Sequence, residues 1–189
     1  MTAVTTAPSP HFALLKPVVL IGLMGAGKSS VGLRLADMLG VGFRDSDKEI
    51  VAAAGRDITE IFEEFGEQEF RRLERAVIAR LLEDESGVLA TGGGAFMHEE
   101  TREAISDLAV SVWLKADLDV LISRTEGRTH RPLLNQGNPR ETLAELIDQR
   151  YPVYALADLH VESFHEQTHE EMAGRIIEKL IEAGAVAVR

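Results

Sequence analysis

The chain has 189 residues, 45% of them hydrophobic, with no cysteine and a net charge of −11. That length suits a single α/β domain with enough apolar content for a core. It excludes a disulfide framework, a thiolate metal site and a cysteine nucleophile, and its acidity argues against sequence-independent nucleic-acid binding. An anionic small-molecule substrate must therefore meet a local basic cluster. No apolar run reaches the length of a membrane span, and a cysteine-free chain is compatible with a reducing cytoplasm. Residues 1–16 carry neither the basic and apolar regions of a signal peptide nor the arginines of a transit peptide, and are expected to be a disordered tail.

Residues 17–21 are nearly all apolar, as in a strand buried on both faces of a parallel sheet. GLMGAGKSS follows at 22–30 and fits G-x-x-x-x-G-K-S/T through Gly22, Gly27, Lys28 and Ser29. Glycines let such a loop turn its N–H groups inward, and the helix expected at 28–39 adds its positive end. Lys28 suits β- and γ-phosphates and Ser29 a Mg²⁺ ion. Gly40 ends that helix, and a short strand at 41–44 leads to Asp45-Ser46-Asp47 and a helix to about residue 54. One aspartate can organise Mg²⁺ through water and the other can orient or deprotonate a hydroxyl. Ser46 with Glu49 reads as a capping box.

Two further helices are expected at 59–65 and 67–83, separated by Gly66, the second with Phe70, Leu73, Val77, Ile78 and Leu81 on one face. On charge pattern alone its Arg71 and Arg72 read as a solvated face, with Glu67 and Arg71 paired at i,i+4. A strand at 88–91 ends in Gly92-Gly93-Gly94, where bare backbone suits the approach of an oxygen-rich ligand. A helix at 98–106, a strand at 110–114 and a helix from Asp117 to about 125 come next. Residues 127–139, GRTHRPLLNQGNP, read as an irregular lid, with Arg124, Arg128 and Arg131 in or beside it. Such arginines can stabilise a transferring phosphoryl group, or merely solubilise a surface loop. A helix at 140–150, a short helical piece opening at Tyr151-Pro152, a strand at 159–161 and a helix at 167–183 complete the chain. Arg150 is uninformative by itself, and the histidines show no metal-ligand spacing. Alternating strands and helices imply a parallel sheet whose carboxyl ends gather residues 22–30, 45–47 and 92–94 into one cleft.

GLMGAGKSS, DSD, GEQEFRRLE, TGGGA, RTxxxxRPLL and an arginine before Tyr-Pro, in that order, resemble the motif set of the shikimate kinase family over nearly the whole chain after the tail. The first motif is common to phosphate-loop proteins; the others are far more specific. The resemblance implies a nucleoside-monophosphate-kinase-like α/β fold, three-layered, with a five-stranded parallel sheet of order 2-3-1-4-5. One domain is expected over 17–189, with substrate-binding residues at about 47–75. The activity implied is transfer of the ATP γ-phosphate to the 3-hydroxyl of shikimate, on the way to chorismate and the aromatic amino acids. By resemblance, Gly25, Ala26, Gly27, Lys28, Ser29 and Ser30 bind ATP, Arg124 lies near the adenine and Arg131 reaches the phosphates. Asp47 and Arg71, Gly92, Gly93, Gly94 and Arg150 bind shikimate, with Asp47 the base and the two arginines on the carboxylate. Lys28, Asp47 and Arg131 are thus the expected catalytic residues, and Mg²⁺ the expected cofactor, on Ser29 and, through water, Asp45. The chain departs from the family where basic residues often flank the adenine: it has Glu162-Ser163-Phe164-His165-Glu166, so Phe164 or His165 would pack the base. The expected setting is a cytoplasmic monomer acting on small molecules. The alternatives are another small-molecule kinase, for gluconate or a nucleotide, and a nucleotide-dependent binding module.

Overall fold

The computed structural model describes residues 12–84, 87–125 and 138–188. A five-stranded parallel sheet, β3-β4-β2-β5-β6, forms its centre. The strands are β2 (Val18–Ile21), β3 (Gly42–Asp45), β4 (Gly87–Ala90), β5 (Val110–Ala116) and β6 (Leu159–Ser163). Numbered among themselves they run 2-3-1-4-5, the order that the resemblance implies. Val18, Val19 and Leu20 of the central strand are fully buried, which is why that strand reads as unbroken hydrophobic residues. The helices are α1 (Lys28–Leu39), α2 (Ser46–Ala54), α3 (Ile58–Glu83), α4 (Glu99–Leu108), α5 (Leu118–Thr125), α6 (Pro139–Tyr154) and α7 (His169–Glu182). The α1 and α7 helices pack on one another, α3 packs on α4, and α5 on α6.

Several expectations are corrected. The tail does not run to residue 16: β1 (Phe12–Leu14) pairs antiparallel with β7 (Val186–Val188), and the Leu15 amide donates to the Ala185 carbonyl. Residues 1–11 lie outside the described residues. The α6 helix is one element rather than two, running through Pro152 close to its end, where the missing N–H costs a single helical bond. Asn138 caps it and Pro139 is its first residue, so the expected lid overlaps the helix there; residues 126–137, with Arg128 and Arg131, lie outside the described residues. At α2 the cap is Asp45, whose carboxylate accepts from the Asp47 amide. Ser46 is the first helical residue, and its hydroxyl instead accepts from the Gly92 amide across the sheet. The boundary at Gly66 holds as a kink: its φ of 79° and ψ of 172° interrupt α3.

Candidate active site

A cleft of about 580 Å³ opens at the carboxyl ends of the parallel strands. Its phosphate end is the β2–α1 loop. Gly25 and Gly27 have φ of 85° and 96°, values that disfavour a side chain. No side chain caps α1 and no acid occupies its first turn, whereas α3 and α7 each begin with a complete capping box. The orphan N–H groups and positive dipole end of α1 are thereby left to an anion. Lys28 Nζ donates to the carbonyls of Gly22 at 2.7 Å and Leu23 at 3.1 Å, which folds its charge over the loop. The Ser29 hydroxyl donates to Asp45 Oδ2 at 2.7 Å. Two hard oxygen donors thus stand side by side, a set suited to Mg²⁺ that is completed by phosphate and water.

The opposite end is acidic and basic at once. Asp47 is largely buried, and burial, helped by the carboxylates of Asp45 and Glu74, pushes its pKa up to about 6. Lys28 and Arg71 partly offset that rise. Arg71 is 17% exposed and turned into the cleft, unlike Arg72, which is 66% exposed and pairs with Glu69. The expected Glu67–Arg71 pair exists at 3.6 Å, but the stronger partner of Arg71 is Glu74, at 2.7 Å. Glu74 is buried, its pKa raised by burial, and its Oε1 has no hydrogen-bond partner among the described residues.

The glycine triplet makes room for these groups. A Cβ on Gly92 would lie 2.9 Å from Glu74 Oε1 and 3.0 Å from Asp47 Oδ1. One on Gly93 would lie 2.9 Å from an Arg150 guanidinium nitrogen, and one on Gly94 2.5 Å from an Arg71 nitrogen. Three missing side chains therefore admit two carboxylates and two guanidinium groups to one short stretch of backbone. Arg150, four residues before the last residue of α6, is brought here only by the fold.

On the far side of the phosphate loop, Arg124 donates to the Ser163 hydroxyl at 2.8 Å, the Phe164 carbonyl at 2.7 Å and the Ala26 carbonyl at 3.4 Å. It ties α5 to the end of β6, and burial lowers its pKa. Phe164 is half exposed, with the Arg175 guanidinium 5.4 Å from its ring centroid.

Of the expected site residues, Gly25, Gly27, Lys28, Ser29, Ser30, Asp45, Asp47, Arg71, the triplet, Arg124 and Arg150 line this one cleft. Ala26 is buried behind it, and Arg131 lies outside the described residues. Sequence reading missed Glu74. Its signal was there: Glu74 follows Phe70 by four residues and precedes Val77 and Ile78 by three and four, so the acid sits on the buried stripe of α3. His169, at the start of α7, also lines the cleft and had no signal.

Fold and site together define a phosphate-loop phosphotransferase of the α/β class. A shikimate kinase family model matches residues 24–181. A shikimate kinase from Paramagnetospirillum magneticum is 55% identical over 166 residues, 88% of this chain and 85% of its own. One from Brucella canis is 52% identical over 165 residues, 87% of this chain and 82% of its own. The structure of a shikimate kinase from Acinetobacter baumannii in complex with shikimate superposes with a TM-score of 0.85 at 36% identity, covering 89% of this chain and 94% of that one. The chain belongs to the shikimate kinase family and is an ATP-dependent kinase.

Proposed function

We propose that the chain transfers the γ-phosphate of ATP to the 3-hydroxyl of shikimate, giving shikimate 3-phosphate and ADP on the route to chorismate. The observation that carries this reading is the division of the cleft. An anion cradle around Lys28 faces a pair of arginines, Arg71 and Arg150, gathered with Asp47 around bare glycine backbone. Two planar guanidinium groups suit a carboxylate, and the neighbouring aspartate suits a hydroxyl. A gluconate or nucleotide acceptor matches that set less well.

In this reading Arg71 and Arg150 hold the shikimate carboxylate, and the triplet lies along the ring. Glu74 holds Arg71 in place, and Asp47 receives the proton of the attacking hydroxyl. A carboxylate pushed up to about 6 is a stronger base than an ordinary aspartate. Lys28 exchanges its loop carbonyls for phosphate oxygens and takes up the charge that develops on the transferring group. Ser29 and, through water, Asp45 would hold Mg²⁺, which when bound neutralises charge between the β- and γ-phosphates. Arg124 lies on the adenine side. Arg131 is assigned to the phosphates from a lid that ends before Asn138, the cap of α6. A cytoplasmic monomer completes the reading, since one chain builds both ends of the cleft.

A coupled ADP-release assay should show Mg²⁺-dependent turnover that requires shikimate, at about 1–100 per second as for kinases generally. Gluconate and nucleoside monophosphates should not replace it. ATP hydrolysis indifferent to shikimate would overturn the reading. Normal turnover by Arg131→Ala would remove that residue and the lid from it.

A further inference from the structure

We propose that Tyr154 is a positioning residue for the substrate loop, holding the Gly93 peptide where Arg150 and the ligand meet it. This rests on the reading that residues 92–94 and Arg150 bind the acceptor.

Tyr154 is the last residue of α6, fully buried, and its hydroxyl donates to the Gly93 carbonyl. Arg150 stands one turn earlier on the same helix face. A Cβ built on Gly93 would lie 2.9 Å from the Arg150 guanidinium and 3.6 Å from the Tyr154 hydroxyl. Two groups of one helix thus converge on a single glycine. The neighbouring carbonyls are satisfied locally: Gly92 accepts from the Ala95 amide and Gly94 from the Met97 amide. The Gly93 carbonyl is held from outside the loop, by Tyr154. Because the peptide unit is planar and trans, fixing that carbonyl also fixes the Gly94 N–H in the opposite sense. One hydroxyl therefore sets the orientation of a peptide that glycine conformational freedom would otherwise leave loose.

Packing alone does not account for a tyrosine here. Its ring stands edge-on to Trp113 at 6.0 Å and tilted to Tyr151 at 6.1 Å, contacts that phenylalanine would make equally well. Burying a hydroxyl is unfavourable unless it is paired, and this one is paired with the Gly93 carbonyl and with the Arg150 guanidinium, the two groups that meet at the triplet. Tyr151 provides the comparison. Its hydroxyl also donates to a backbone carbonyl, that of Ala116 at the end of β5, away from the triplet.

The test compares Tyr154→Phe and Tyr151→Phe in the full chain. Each loses one hydroxyl and keeps its ring, so each should fold, with a similar small drop in melting temperature. Tyr154→Phe should raise the shikimate KM about fivefold to tenfold, since it frees both the Gly93 carbonyl and the Arg150 guanidinium from the hydroxyl. Its ATP KM should stay within about twofold, and amide exchange across 93–97 should accelerate while β2 is unchanged. Tyr151→Phe should leave the shikimate KM within about twofold of wild type. Equal KM shifts in the two variants, or an unchanged shikimate KM in Tyr154→Phe, would overturn the assignment. A wild-type chain with no shikimate-dependent turnover would instead sink the functional reading. Amide exchange then decides the matter for Tyr154: acceleration supports it and unchanged exchange refutes it.

Discussion

Asp47 shows what a single buried carboxylate costs the fold. Burial, then the carboxylates of Asp45 and Glu74, raise its pKa from the ordinary 3.8 to about 6. The folded state therefore binds its proton more tightly than the unfolded chain does. The resulting penalty on stability is absent below about pH 4, grows as pH rises, and is complete above about pH 6. A shift of this size corresponds to roughly 3 kcal/mol at neutral pH. Asp47→Asn keeps the shape and removes the charge. In the metal-free chain without ligands it should raise the melting temperature by several degrees at pH 8, and about half as much at pH 5. If Asp47 is the base of the proposed reaction, the same variant should lose about 10²–10⁴ in kcat while its affinity for ATP stays nearly intact. Thermal melts at the two pH values and nucleotide titrations check both halves. A variant no more stable than wild type at pH 8, or one that no longer binds ATP, would contradict the account. The placement of Asp47 and Lys28 in one cleft was legible because strand-end position and residue type carry it. The environment of Asp47 was not, since Glu74 comes from another element and only folding sets the two carboxylates beside Gly92.

At the scale of elements, α3 lines the end of the cleft opposite the phosphate loop. Its two segments are separated at Gly66, where φ of 79° and ψ of 172° occupy a region essentially confined to glycine. A Cβ there would meet nothing within 4 Å, so an alanine would be strained by its backbone and not by crowding. Before the kink, Ile58, Thr59 and Phe62 line the cleft; after it, Phe70, Arg71 and Glu74 do. The rings of Phe62 and Phe70, with centroids 4.5 Å apart, join the two segments. Gly66→Ala should cost about 1–3 kcal/mol, a drop of several degrees in melting temperature, and should raise the shikimate KM more than the ATP KM. Unchanged stability would mean that the kink relaxes freely, and an unchanged shikimate KM that its angle does not matter to the site. Glycine at 66 announced this break in the sequence. Pro152 announced one that does not occur, because it lies only two residues from the end of α6, and Tyr151 and Tyr154 fasten that end to the carbonyls of Ala116 and Gly93.

For the whole molecule, β2, β4 and β5 were legible as apolar runs between helical segments, whereas β3 (GFRD) and β6 (LHVES) were legible only from the alternation of strands and helices, and the strand order followed from the motif resemblance. The β1–β7 ribbon was not. Each strand has three residues, too few for any periodicity, and they pair from opposite ends of the chain, Phe12 with Val188. The ribbon's β1 leads directly into the amino end of the central strand β2, whereas the cleft lies at the carboxyl ends of the strands, and Phe12 and Leu14 pack against the core. Loss of residues 1–15 would remove the ladder, the Leu15–Ala185 hydrogen bond and those two partly buried side chains. At about 1 kcal/mol for a hydrogen bond and 1–2 for a partly covered side chain, offset in part by the entropy of ordering the two chain ends, the shortened chain should lose about 2–4 kcal/mol. Its melting temperature should fall by about 4–16 °C for a chain of this length. Because the cleft is built at the other end of the sheet, kcat and both KM values should stay within about twofold at temperatures well below the transition. Thermal melts and the ADP-release assay on the shortened chain measure the two quantities separately. An unchanged melting temperature would show that the ribbon adds nothing to the fold. A changed shikimate KM with retained stability would show that the chain ends reach the site through the sheet. Stability lost with kinetics preserved is the outcome required of a clasp that closes the fold where the chemistry is not.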